Sequence, residues 1–236
     1  MENQATTQQR EGELDFKSEE RSINCGIDYL DIIHNPSYFY KISKRLIDIA
    51  IASFCIALLL PIFLAIAIGI KLQDGGSIIY RREMIGLRGR RFAMFKFRTM
   101  VSNAEMYLQL QPELFHVFKE NMKLQDDPRI TPFGRFLRGF YLDELPQLFN
   151  VLAGQMSIVG PRAIHQSELV LYGEYAYQRH SVKPGITGLW QVSPNRHRCY
   201  EDRIPLDMRY IDQCSLYLDI VILLKTLRVF FLHTGI

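Results

Sequence analysis

The sequence predicts a membrane-associated α/β protein, in which an apolar helical segment precedes a mainly helical domain with a small β-hairpin. Three observations lead to this prediction. Residues 49–70 form an uncharged apolar run of 22 residues, longer than a buried core helix or a signal-peptide core requires. Residues 77–100 alternate apolar and charged side chains, as strands do. Several later segments repeat apolar residues at helical spacing.

The first 40 residues are polar and acidic, with three Lys or Arg against eight Asp or Glu. They lack an apolar period, so we predict a disordered cytoplasmic tail over residues 1–40. Because the whole chain carries +3 and this tail −5, the remaining residues carry +8. That charge suits an anionic membrane surface or phosphate-bearing substrates, and charge alone does not distinguish these from nucleic acid. The four cysteines lack paired metal-ligand spacing and are predicted to be free thiols.

The apolar run predicts a re-entrant helix hairpin over residues 41–73, broken at Pro61. Proline kinks or breaks a helix, and half-helices of about 12 and nine residues reach only about 18 and 14 Å, to mid-bilayer. Basic residues flank both ends, which favours the cytoplasmic side for both. A kinked helix that crosses the bilayer is the alternative, since about 33 Å of straight helix would suffice and spanning helices tolerate proline.

The next segment predicts two strands joined around Gly86 and Gly89. Lys96 and Arg98 share one face of the second strand, about 7 Å apart. A diphosphate can bridge two cations at that spacing. A solvated strand face would give the same pattern, so the pair is a candidate phosphate site and no more.

Two short helices are predicted next. Thr131 caps the first, in which Arg138 lies away from the apolar stripe. The second runs from Asp143 to a stop at Gly154, with Asp143 and Glu144 in its first turn. Free N–H donors and the positive dipole end at a helix start hold anions, so a phosphoryl group on Asp143 would be stabilised there. Ordinary helix capping would place the same acids at this position.

Beyond these helices, residues 156–165 predict a buried strand and a turn that leads to Arg162. A loop over residues 182–192 carries Trp190, for which an interfacial or packing role is expected. Two helical stretches follow residue 200. The last is apolar with cations on one side, which suits either the membrane surface or the protein core.

Four motifs together resemble the bacterial sugar transferase family, the monotopic phosphoglycosyl transferases. They are, in chain order, "KRLIDI" before the apolar run, "FKFRTM", "LRGFYLDELPQLFNVLAGQMSIVGPR" and "VKPGITGLWQV". The resemblance covers about residues 41–236. It implies a re-entrant helix-break-helix, a cytoplasmic catalytic domain at the membrane interface over residues 74–236, and amphipathic surface helices.

The resemblance also implies a reaction: transfer of a sugar 1-phosphate from a nucleotide sugar, by default a UDP sugar, to polyprenyl (undecaprenyl) phosphate, with Mg²⁺. This step initiates polysaccharide or glycoconjugate synthesis at the bacterial inner membrane, on its cytoplasmic face. The expected partners are the donor, the lipid acceptor and the membrane, without nucleic acid. Homo-oligomerisation, the sugar and the pathway stay open.

By resemblance, Asp143 corresponds to the family's nucleophile and Glu144 to its partner, and both are the expected Mg²⁺ ligands. The basic positions around the phosphates correspond to Lys96, Arg98, Arg138 and Arg162. The chain departs from the family in two places. Leu60 precedes Pro61 where the family commonly has serine, and Ala163 follows Arg162 where the family has a second proline. The second change loosens the restraint on the arginine backbone.

These residues support a hypothesis in which the Asp143 carboxylate attacks the sugar-bearing phosphorus to form an aspartyl phosphosugar. The polyprenyl phosphate then attacks that intermediate. Direct displacement with Asp143 as a base, without a covalent species, is one alternative. A non-catalytic membrane-anchored adaptor is the other.

Overall fold

The computed structural model describes residues 36–121, 124, 126–194 and 202–231. Residues 1–35 of the tail predicted over residues 1–40, like Cys25 and Cys199, lie outside the described residues. The helices and strands are, in chain order, α1 (Tyr38–Asp74), β1 (Ile79–Ile85), β2 (Arg91–Phe97), α2 (Ala104–Gln109), α3 (Pro112–Asn121), α4 (Pro132–Gly139), α5 (Gln147–Leu152), β3 (Ser157–Val159), α6 (Ala176–Arg179), β4 (Gly185–Thr187), α7 (Arg203–Gln213) and α8 (Leu216–Phe231). The mostly helical fold, the small β-hairpin and one long apolar helix agree with the coarse part of the predicted class. Re-entry of the apolar helix stays a prediction.

Helix α1 corrects one prediction, because it runs through Pro61 as a single helix of 37 residues instead of two separate half-helices. Proline removes one N–H donor, so it can kink a helix without ending it. The helix begins at Tyr38, three residues before the predicted boundary at 41. It ends at Asp74 and is capped by Gly75, which adopts a left-handed φ of 68° and donates its N–H to the Lys71 carbonyl at 3.0 Å.

Two distant parts of α1 contact the same short helix. Arg45 donates to the carbonyls of Val151 and Leu152 at 2.6 and 2.8 Å, and the Phe63 ring packs edge-on against Phe149 with centroids 5.8 Å apart. Positions 45 and 63 lie about 27 Å apart on a straight helix, whereas α5 is only about 9 Å long. The two contacts therefore favour an α1 that bends between them, near Pro61.

The apolar side chains of α1 are in large part exposed. Those more than half exposed include Phe54, Leu58, Leu60, Leu64 and Ile68. Among the described helices, α1 is the one long and apolar enough to cross a membrane. A contiguous apolar surface of this kind is typical of membrane contact, so α1 is compatible with membrane association.

Asp48 attaches the first half of α1 to the sheet that supports the site. Its carboxylate, 3% exposed, accepts hydrogen bonds from the Ile158 backbone N–H at 2.9 Å and the Ser157 hydroxyl at 3.0 Å. Buried carboxylates require such partners. Asp48, directly before the apolar run, therefore fixes α1 against β3.

The predicted hairpin is confirmed, with β1 and β2 paired antiparallel from Ile79 opposite Phe97 to Ile85 opposite Arg91. The predicted strand before Arg162 is also confirmed as β3. The loop prediction for residues 182–192 was wrong in part, because residues 185–187 form β4, which pairs parallel with β3. Lys96 of β2 and Arg162, which follows β3, reach the acid pair described below.

The two C-terminal helices, α7 and α8, are confirmed. Helix α8 buries Ile222 completely, whereas Tyr217, Ile220, Leu224 and Leu227 are each more than half exposed at spacings of three and four residues. One face of α8 thus belongs to the core, and the other is an apolar stripe available to a membrane surface.

Helix α4 packs closely on the end of β2, and this contact leads to a stability prediction. Thr131 caps α4 by accepting from the Gly134 N–H at 2.9 Å, and a Cβ on Gly134 would overlap the Thr99 carbonyl. We expect Gly134→Ala to lower the free energy of unfolding by about 2–3 kcal/mol, because backbone must move to admit the methyl group. Thermal unfolding in detergent measures this.

Gly139 provides the matched control in the same helix, since a Cβ there meets nothing within 4 Å. Gly139→Ala should leave stability unchanged or raise it by up to about 1 kcal/mol, as alanine favours helix. Equal destabilisation by both substitutions would contradict the steric argument.

Candidate active site

Asp143 and Glu144 lie in a 3-10 turn, Leu142–Glu144, and α5 begins only at Gln147. The prediction that the acid pair occupies the first turn of this helix was therefore wrong. Pro146 precedes the first helical residue, and proline commonly occupies such a start because it lacks an N–H donor. The helix-dipole argument for anion binding at Asp143 does not apply in this geometry.

Two predicted cations surround the acid pair. The Lys96 Nζ lies 2.7 Å from Glu144 Oε1 and 3.9 Å from Asp143 Oδ2. The Arg162 Nη2 lies 3.2 Å from the same Glu144 oxygen. The structure therefore brings four of the six predicted site residues together, with Glu144 as the centre of the ion pairs.

The other two predicted cations make different contacts. Arg138 donates its Nε to the Thr99 hydroxyl at 2.9 Å, near enough to the acid pair for its charge to favour ionised Asp143. Arg98 pairs with Asp74 at the end of α1, Nη1 to Oδ2 at 2.8 Å, and also donates to Ser102. Arg98 thus ties β2 to α1 and is not brought to the acid pair. Its role as a phosphate ligand stays a prediction.

The two carboxyl groups have opposite pKa shifts. Burial raises the pKa of Asp143, an effect that the Lys96 charge offsets only in part. Burial would also raise the pKa of Glu144, but the charges of Arg162 and Lys96 outweigh it and lower that pKa to about 2. Glu144 is therefore ionised throughout the ordinary pH range, and Asp143 is the acid that titrates.

This assignment predicts a pH effect. Lys96 favours the ionised form of Asp143, so Lys96→Met removes a charge that lowers the Asp143 pKa. If ionised Asp143 is required for turnover, the acid limb of the pH–rate profile moves to higher pH in this variant. Rates measured from pH 4 to 8 test the shift.

Arg91 is the matched control on the same hairpin, since it pairs with exposed Glu83 at 3.2 Å. Arg91→Met should leave the acid limb in place. A Lys96→Met variant with a lower rate but an unmoved limb would show that Lys96 does not act through the pKa of Asp143.

A cavity opens beside the acid pair. The residues that line it are Arg82, Met84, Met94, Lys96, Gln147, Arg162, Ala163, Glu168, Gly185, Ile186 and Arg203. Four polar members of this set were not predicted from the sequence, namely Arg82, Gln147, Glu168 and Arg203. Arg82 lies opposite Met94 in the hairpin register, so the alternation of β1 could have placed it on the face of Lys96. No local pattern indicates Gln147 or Arg203.

The backbone of Arg162 is held by two buried arginines. Its carbonyl accepts from Arg179 Nη2 at 2.6 Å and from Arg203 Nη2 at 2.5 Å. Asp207 in turn accepts from Arg203 Nε at 3.2 Å. This arrangement restrains the Arg162 backbone although Ala163 stands where the family has a second proline.

The described residues contain no group of three or more His, Cys, Asp or Glu side chains that could hold a metal ion. Mg²⁺ commonly takes only one or two carboxylates and completes its shell with water and phosphate oxygens. Of the two acids, Glu144 is engaged by Lys96 and Arg162, whereas the nearest ion-pair partner of Asp143 lies at 3.9 Å. The adjacent carboxylates fit such a partial ligand set.

Comparison with known proteins identifies the family of this chain. The family model described as bacterial sugar transferase matches residues 39–233. The exopolysaccharide production protein ExoY of Sinorhizobium fredii is 42% identical over 198 residues, which is 82% of this chain and 88% of that protein. ExoY of Rhizobium meliloti is 40% identical over 197 residues, 82% of this chain and 87% of the relative.

This chain covers less than half of two longer relatives. The undecaprenyl-phosphate galactose phosphotransferase of Salmonella typhimurium is 39% identical over 196 residues, 81% of this chain and 41% of that protein. The UDP-glucose:undecaprenyl-phosphate glucose-1-phosphate transferase of Xanthomonas campestris pv. campestris is 42% identical over 200 residues, which is 81% of this chain and 39% of that protein. This chain therefore belongs to the bacterial sugar transferase family and is an enzyme of the phosphoglycosyl transferase class.

Proposed function

We propose that this protein transfers a sugar 1-phosphate from a UDP sugar to undecaprenyl phosphate at the membrane surface. The observation that carries the proposal is a buried carboxylate, Asp143, next to an ionised Glu144 that orders Lys96 and Arg162 at the edge of a cation-lined cavity. The names of the Salmonella and Xanthomonas relatives, which include undecaprenyl phosphate, support this acceptor.

The cavity suits the donor diphosphate. Four cations line it, Lys96, Arg162, Arg82 and Arg203, together with one acid, Glu168. Cations that converge on a partly enclosed space stabilise the charge that spreads over phosphate oxygens during transfer. The donor would therefore bind with its diphosphate between these side chains and the sugar-bearing phosphorus facing Asp143.

The covalent route has two balanced displacements. An oxygen of the Asp143 carboxylate bonds to the sugar-bearing phosphorus, and the bond from that phosphorus to the bridging oxygen breaks, so that UMP leaves with the electron pair. An oxygen of the lipid phosphate then bonds to the same phosphorus, and the bond to Asp143 breaks and restores the carboxylate. One site thus serves a soluble donor and a lipid acceptor in turn.

Mg²⁺ is the expected cofactor, and Asp143 and Glu144 are the side chains that would hold it. When bound, the ion would supply neutralising charge to the diphosphate. Lys96 and Arg162 act on the same charge from the protein side. Among the described ion pairs, the partner of Asp143 lies at 3.9 Å, so Asp143 is the freer of the two acids to contact metal or phosphorus.

The membrane part of the proposal is re-entry of α1 from the cytoplasmic face. Contacts of Arg45 and Phe63 with α5 support it, since these residues lie about 27 Å apart on a straight helix and both contact the same short helix. Basic residues on both sides of the run also favour one cytoplasmic face. In this arrangement the acid pair lies close to the surface where a lipid phosphate is exposed.

The decisive experiment uses the full chain in vesicles that contain undecaprenyl phosphate, with a panel of UDP sugars and UMP release as the readout. Release with at least one donor is expected. Donor alone, labelled in the sugar, should leave label on the protein. Absence of UMP with every donor would favour the adaptor alternative, and release without protein-bound label would favour direct displacement with Asp143 as base.

A further inference from the structure

Gln147 is a buried polar residue that the reaction scheme above does not use. It is 3% exposed, it is the first residue of α5, and it lines the cavity together with Lys96 and Arg162. Within the part of the chain that the structure describes, its side-chain amide has no hydrogen-bond partner. The amide atoms are not among the fully enclosed polar atoms that lack a partner, so they stay accessible from the cavity, where a ligand can hydrogen-bond them.

Asn150, three residues later in the same helix, is an example of a side-chain amide whose hydrogen bonds are all made within the protein. It is fully buried, its Oδ1 accepts from the Phe95 N–H at 2.9 Å, and its Nδ2 donates to the Ala93 carbonyl and Gln155 Oε1, both at 2.7 Å. The packing of α5 against β2 therefore satisfies one amide completely. It leaves the other one directed to the cavity.

We propose that the Gln147 amide hydrogen-bonds a hydroxyl group of the donor sugar and so helps to select the sugar; this inference rests on the proposed function. Phosphate oxygens only accept hydrogen bonds, and in the proposed binding mode the cations that line the cavity supply those bonds. A sugar hydroxyl both donates and accepts, which matches the two ends of an amide.

The surroundings of Gln147 agree with a sugar ring. Met84, Met94 and Ile186 also line the cavity, and they offer apolar surface to the C–H groups of a ring while the amide contacts a hydroxyl. Gln147 follows Asp143 by four residues through helical backbone at Leu145 and Pro146, an advance of about 6 Å. That separation is comparable to one sugar ring beyond the reacting phosphorus.

The test compares wild type with Gln147→Met, which keeps the side-chain length and removes both hydrogen-bonding groups. Donors are UDP-glucose, UDP-galactose and their monodeoxy analogues, with UMP release measured in vesicles that contain undecaprenyl phosphate. We expect Gln147→Met to lower kcat/KM about tenfold on the better donor. One deoxy analogue should cost wild type a similar factor, and the variant should lose nothing further with that analogue.

Two measurements separate this role from others. Binding of UDP alone should be equal in wild type and variant, and the Tm of the variant should not fall, because no protein hydrogen bond is lost. Weaker UDP binding would assign the amide to the diphosphate or the nucleoside, and a lower Tm with unchanged kcat/KM would make it structural. Either result overturns the proposal.

The deoxy series also separates this inference from the proposed function. If the tenfold loss persists with every deoxy analogue, the sugar-reading role is wrong while the transfer reaction stands. If wild type releases no UMP with any donor, the proposed function fails, and the inference fails with it.

Discussion

Asp143→Asn is expected to lower turnover by at least about three orders of magnitude, because an amide can act neither as the nucleophile nor as the base. The fold should remain intact. Asp143 is 8% exposed, and burial raises its pKa, so the site already disfavours the charged form and accepts a neutral isostere. UMP release and protein-bound sugar label are the two readouts, and both should disappear.

Asp127 supplies the control for this substitution. It is buried to a similar degree, at 7% exposed, but it pairs with Arg129 at 2.6 Å, outside the acid pair. Asp127→Asn should therefore retain turnover within about tenfold. Substantial UMP release by Asp143→Asn, or an equal loss in both variants, would refute a direct role for Asp143.

The elements that local sequence predicts well are those in which neighbouring residues supply the whole signal. The β1–β2 hairpin follows from period-2 alternation and from the glycines at its turn. Helix α4 follows from Thr131, whose side chain does accept from the Gly134 N–H, and from Pro132 in the first turn. In both cases the partner of each backbone group lies only a few residues away.

The elements that sequence missed depend on distant partners. Strand β4 has three residues, and its register with β3 joins Val159 to Thr187, a pairing that no local pattern specifies. Arg203 reaches the Arg162 carbonyl from 41 positions along the chain. The partnership of Arg98 with Asp74 has the same cause, because α1 returns to the hairpin only in the folded chain.

The acid pair illustrates a third case, in which the residues were found but their local geometry was not. Helical spacing of the apolar residues begins before the helix does, since the turn at Leu142–Glu144 and α5 share one buried side. Pro146 marks the actual start. The chemistry assigned to Asp143 survives this correction, because burial and the charges of Lys96 and Glu144 set its properties, whereas the helix dipole does not.

Arg162 is the second residue for which a large effect is expected. Its guanidinium contacts Glu144 at 3.2 Å and faces the cavity, where a planar fork can bind two phosphate oxygens at once. We expect Arg162→Lys to lower kcat/KM about 100-fold, because lysine keeps the charge and loses the fork. Arg162→Met should cost about 1,000-fold, since it also leaves Glu144 with Lys96 as its only cation among the described ion pairs.

These losses should arise without unfolding. Arg179 and Arg203 donate hydrogen bonds to the backbone carbonyl of Arg162, and these bonds do not depend on its side chain. Arg135, exposed on α4, provides the charge-matched control, and Arg135→Met should stay within about twofold of wild type. If Arg135→Met reduced the rate as strongly as Arg162→Met, both losses would come from the lower net positive charge of the protein and not from the contacts of Arg162. Retention of the rate by Arg162→Lys would show instead that a point charge suffices and that the fork is not used.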